Sequence, residues 1–82
     1  MPDQAIHDSF ATGLEICYEV LLYLSSRMAR LQPGEILEFV TDDPDADDKI
    51  RSWCETHDHT LLDNQTLPDG RRKFLIRKSV SS

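Results

Sequence analysis

Between Cys17 and Leu31 the apolar residues Cys17, Val20, Leu21, Leu24, Met28 and Leu31 recur at steps of three and four. This period lines them along one side of an α-helix, and a helix with one apolar side must bury it against another element. Gln32-Pro33-Gly34 stops the helix, because proline cannot continue the hydrogen-bond ladder and glycine accepts turn geometry. Ile36 to Thr41 follows, with Ile36, Leu37, Phe39 and Val40 apolar, as expected of a strand covered by helices.

Asp42-Asp43-Pro44 opens a second helix. An aspartate there is expected to accept hydrogen bonds from free backbone N–H groups, and proline fits a first turn. Ala46, Ile50, Trp53, Cys54 and His57 fall on one face of this helix, which ends near His57. Thr60 to Thr66 reads as a strand, Pro68-Asp69-Gly70 as a turn, and Arg72 to Arg77 as the returning strand with Phe74 and Ile76 on one face. Upstream, Ser9 to Leu14 forms a short strand with Phe10 as its core residue.

The resulting order is β-α-β-α-β-β. Its first two strands, joined by a helix, are expected to be parallel with a right-handed crossover, and its last two to form an antiparallel hairpin. Each helix has a single apolar face, so both can lie on one face of a four-stranded mixed sheet. At 82 residues the chain makes one domain, 1–82, with residues 1–8 as a loose N-terminal arm. A chain this short buries only ~60–65% of the surface it exposes when unfolded, so chemistry belongs at the surface or in a shallow groove.

The net charge is −6, which disfavours nucleic acid and anionic membranes as partners. Asp42, Asp43, Asp45, Asp47 and Asp48 crowd one stretch, and Arg71, Arg72, Lys73, Arg77 and Lys78 another. These read as solvated surfaces and a helix start in preference to a binding patch. Two cysteines are too few for a disulfide scaffold, and Met1 to His7 lacks the pattern of a signal peptide. Free thiols in a reducing cytoplasm are expected, and no apolar run is long enough to span a membrane.

Cys17 is the sharpest chemical feature. It sits where a strand loop turns into a helix, and free N–H groups there favour a reactive thiolate. Glu19 opposes this by its negative charge. The position equally suits a small apolar residue at the start of the core face. Cys54, between Trp53 and Glu55 on an apolar face, reads as buried and inert. Cys54, His57 and His59 are close in sequence but lack a second ligand pair with zinc spacing. Ser25 and Ser26 have no flanking nucleophile motif, and Gly13, Gly34 and Gly70 are too isolated for a phosphate loop. Tyr18, Leu22 and Ala29, with Tyr23 at the edge, occupy the other face of the first helix, either as a protein-docking patch or under a covering loop or arm.

Gly13-Leu14, Cys17, Pro33-Gly34-Glu35, Asp43-Pro44, Ala46, Ile50 and Trp53-Cys54 follow one another with the order and spacing of a known family. His59, Leu61, Leu62, Phe74, Ile76, Arg77 and Lys78 extend the match. From about Gly13 to Lys78 the chain resembles the TusA/SirA family of small sulfur carriers. The resemblance implies a two-layer α/β sandwich of the order derived above. It implies that Cys17 accepts sulfur as a persulfide from a desulfurase or sulfurtransferase and passes it to an acceptor protein, with no metal or organic cofactor. Tyr18, Glu19 and Leu22 would then be partner-docking residues on a monomer. Members serve tRNA thiolation, sulfur oxidation or molybdenum-cofactor pathways. The family's two motif prolines are absent, with Tyr18 and Val20 in their places, and the link from Gly13-Leu14 to Cys17 is one residue longer than usual. The alternative is a non-catalytic interaction or regulatory module that keeps the fold.

Overall fold

In the computed structural model of the chain, residues 6–13, 16 and 18–79 are described. The elements run β1 (Asp8–Thr12), α1 (Tyr18–Ala29), β2 (Ile36–Thr41), α2 (Ala46–His57), β3 (Thr60–Thr66) and β4 (Arg72–Arg77). They form a four-stranded sheet in the order β1-β2-β4-β3. β1 pairs with β2 in parallel, from Asp8 opposite Leu37 to Thr12 opposite Thr41. β4 runs antiparallel to both its neighbours, β2 and β3. The expected element order, parallel pair and hairpin are all present.

Alternation along the strands separates two faces. Leu37, Phe39 and Thr41 of β2 and Phe74 and Ile76 of β4 are fully buried. The same core holds Val20, Leu24 and Met28 of α1 and Ala46, Ile50, Trp53 and Cys54 of α2. Both helices therefore cover one face, making a two-layer sandwich. The uncovered face is polar at its centre, where the Glu38 carboxylate accepts a hydrogen bond from Ser9 Oγ (3.0 Å) and lies 3.8 Å from Lys73 Nζ. Across the covered face the register aligns Phe10, Phe39 and Phe74 in a row, with ring centroids 5.3 and 6.4 Å apart. Offset aromatic contacts at these separations add to the area they bury.

Several boundaries differ from the sequence reading for local reasons. β1 ends at Thr12, and Leu14 lies outside the described residues. Asp8, assigned above to the arm, begins β1, because its carboxylate takes two hydrogen bonds from Arg27 of α1 at 2.9 and 2.8 Å. The expected side-chain cap of α2 is also displaced. The N-cap residue, Asp45, makes no capping bond, and Asp43 instead accepts the Asp45 N–H at 2.7 Å. His57, expected on the buried face, is exposed in the last turn with its ring 5.1 Å from Trp53. α2 stops at Asp58, which takes the left-handed conformation (φ 61°) that aspartate tolerates better than most residues.

Several of the basic C-terminal residues pair with groups of the same molecule. Arg72 Nη2 donates to Asp47 and Asn64, and Arg71 pairs with Asp69. Lys78 Nζ donates to the Leu31 carbonyl just beyond α1 (2.6 Å). Cations suit this end because the last carbonyls of a helix carry partial negative charge.

Trp53 joins the two helices. It is 6% exposed, and its Nε1 donates to Ser25 Oγ of α1 at 3.3 Å. Trp53→Ala should lower the unfolding free energy by about 3–5 kcal/mol in a urea titration. An unchanged midpoint would contradict this packing.

Candidate functional site

Parallel strands end at the same edge of a sheet, and the loops that follow them meet there. β1 and β2 end together at the Thr12–Thr41 pair. The loop leading into α1 and the loop leading into α2 are consequently neighbours. Gly13 packs close to Asp42 at this point, where an added Cβ would lie 3.4 Å from Asp42 Oδ2.

The two loops are joined by Asp43, a carboxylate only 2% exposed. Its Oδ2 accepts the Ile16 N–H at 2.7 Å and a hydrogen bond from Lys49 Nζ, also at 2.7 Å. Its Oδ1 accepts the Asp45 N–H at 2.7 Å, and its own N–H donates to Thr41 Oγ1 at 3.2 Å. Lys49 Nζ also donates to the Ile16 carbonyl at 3.1 Å. Burial alone would raise the Asp43 carboxyl, but the Lys49 hydrogen bond and the Asp45 and Ile16 N–H groups together hold it below the usual carboxylate range. Sequence reading missed this role. The available signal was the Asp43-Pro44 pair followed by a lysine six residues on, among five aspartates.

Cys17 lies outside the described residues. Its neighbours are placed: Ile16 is buried at 4% exposure, and Tyr18 opens α1 at 76% exposure. Glu19 is exposed, and Leu22, one turn on from Tyr18, is 52% exposed. Tyr18, Leu21, Leu22, Ser25, Trp53 and His57 line a groove of about 310 Å³ between the helices. The three proposed docking residues thus stand at the surface, and two of them, Tyr18 and Leu22, border that groove. Val20, at one of the motif-proline positions, is instead part of the core.

Cys54 is 3% exposed, and burial, with a smaller contribution from Glu55, pushes its thiol up to about 12. At neutral pH it stays protonated, which makes it a poor nucleophile. His59 is half-buried, and its Nδ1 accepts the Ser79 N–H at 3.0 Å. Among the described residues no group of three or more His, Cys, Asp and Glu is placed to hold a metal ion. Among them, too, no helix is long and apolar enough to cross a membrane.

The lowered Asp43 value fixes the sign of its pH effect. Its contribution to stability is complete above the ordinary carboxylate range and is lost as pH falls through the folded-state value. Asp43→Asn should reduce stability at pH 7 by about 2–4 kcal/mol and flatten the acid side of the stability profile, as read by denaturant midpoints between pH 7 and pH 3. A profile as steep as that of the unaltered protein would assign the acid sensitivity to other carboxylates.

The fold order, the paired loops and the free helix surface are accompanied by a direct match. The family model described as Sulfurtransferase TusA matches residues 12–78, from the end of β1 to just past β4. With most of its length inside that match, the chain belongs to the TusA sulfurtransferase family.

Proposed function

We propose that the protein is a sulfur carrier that holds persulfide sulfur on Cys17. The observation that carries this is the family match, which spans position 17 and continues through both helices. Cys17 directly precedes the first residue of α1, and a thiolate there would be favoured by the unpaired N–H groups of the first turn. Cys54, buried and protonated, is unsuited to the task.

The transfer is a thiol exchange. The Cys17 thiolate attacks the outer sulfur of a donor protein's persulfide. The new S–S bond forms as the donor's own S–S bond breaks, and the donor leaves as a thiolate. The proton on the outer sulfur travels with it, leaving a persulfide on Cys17 and no net oxidation or reduction. An acceptor thiolate removes the sulfur by the same step. Both partners are proteins, in keeping with the net charge of −6, which disfavours direct handling of nucleic acid.

Incubation with a cysteine desulfurase and cysteine, followed by intact-mass and peptide analysis, should add the mass of one sulfur atom to the Cys17 peptide. Cys17→Ser should abolish the gain and Cys54→Ser should keep it. Tyr18→Pro, which restores proline at the first helical position without touching the core, should speed the uptake of sulfur from a small-molecule persulfide, a donor that needs no docking at Tyr18. Folded protein that gains no sulfur from any desulfurase would favour the interaction-module reading.

The exposed Tyr18, Glu19 and Leu22 are proposed as the docking surface for the donor, since aromatic and apolar side chains at a surface provide the desolvated contacts that dominate protein association. Tyr18→Ala with Leu22→Ala should weaken donor binding at least about tenfold while changing folding stability by no more than about 0.5 kcal/mol per site. Equal affinity in titration calorimetry would move the docking surface elsewhere.

A further inference from the structure

Ile16 is the residue before Cys17, so its carbonyl belongs to the peptide bond that joins them. That carbonyl accepts a hydrogen bond from Lys49 Nζ at 3.1 Å, and the Ile16 N–H donates to Asp43 Oδ2 at 2.7 Å. The two side chains are in turn paired at 2.7 Å, with Asp43 almost wholly enclosed and Lys49 30% exposed. Both backbone polar groups of Ile16 are thus held by one ion pair that originates at the start of α2. We propose that Asp43 and Lys49 are positioning residues for sulfur transfer, fixing the Ile16–Cys17 peptide and bringing a cation to it.

Three facts carry this. First, an enclosed carboxylate with a cation and two backbone N–H groups on it is a rigid anchor, because moving any member strands a desolvated charge. Second, the anchor acts at the residue adjoining the thiol, so the loop cannot turn there without breaking two hydrogen bonds. Third, Lys49 supplies positive charge where the neighbouring side chains are mostly acidic. Asp42, Asp45, Asp47 and Asp48 share its stretch, and Glu19 follows Cys17 by two residues. By pairing with Asp43, Lys49 keeps that enclosed carboxylate from adding to the negative charge that disfavours a thiolate. Asp43 is the one member of the acidic run whose charge is matched at contact by Lys49.

This role rests on the reading of Cys17 as the sulfur-bearing residue, and the test separates the two. Alkylation of native protein by iodoacetamide, followed by peptide mapping, gives the rate at Cys17 as a function of pH. Lys49→Gln keeps the length and a donor but removes the charge. It should slow alkylation at pH 7 by about three- to tenfold and displace the profile to higher pH, and Lys49→Arg should stay within about twofold of the unaltered protein. A merely structural lysine would alter the melting temperature and leave the profile in place, and that result overturns the proposal. On the unaltered protein, the Ile16 amide should exchange with solvent at least about a hundredfold more slowly than an unprotected amide, and unprotected exchange would overturn it too. If the profile moves but desulfurase delivers no sulfur, the positioning role stands and the carrier reading fails. If sulfur is delivered and the profile does not move, the carrier reading stands and the positioning role fails.

Discussion

The structure depends on a single shared interior, formed where two helices press on one face of a sheet. A chain of this size cannot fill two such layers, so most of its large apolar residues converge on the same one. The row Phe10–Phe39–Phe74 crosses three strands, and Val20, Leu24, Ile50 and Trp53 close over that side of the sheet. Because the interior is fixed by these contacts, the ends of β1 and β2 are fixed as well.

At those loops the protein does something energetically demanding. It encloses a carboxylate, which is tolerable only when charge and hydrogen bonds replace the lost water. Lys49 and the N–H groups of Ile16 and Asp45 provide the replacement around Asp43. The arrangement ties the entry to α1 to the entry to α2, so the two helices are related through their starting points as well as through the core.

Most of the fold was legible because its signals were periodic. The three- and four-residue spacing from Val20 to Met28 and the apolar run Ile36–Val40 each specify an element within a residue or two. β1 was harder: the segment is short, and four of its five residues are exposed or polar. The position of β4 between β2 and β3 has no local signature, since it follows from which strand best completes the core. The candidate site was legible only in part. Cys17 stands out by its place before a helix, and the residue pattern around it names a family. The Asp43–Lys49–Ile16 contacts join residues 27 and 33 apart to one another, and such spacing leaves no trace in a single sequence. His57 was assigned to the buried face because periodicity says which side a residue is on, not whether the sheet reaches that far.

The strand that completes the sheet is also the last element of the fold. β4 occupies an inner position and supplies hydrogen bonds to both β2 and β3, while β3, made earlier, lies at the margin. As the chain leaves the ribosome, β1, α1, β2 and α2 can gather, but β2 keeps an unfilled side and β3 has no neighbour until residues 72–77 emerge. Final cooperative folding is thereby deferred almost to the end of synthesis of this segment, and its rate is governed by long-range pairing. In that interval the unfilled side of β2, rich in Leu37, Phe39 and Val40, is the surface a chaperone would be expected to shield.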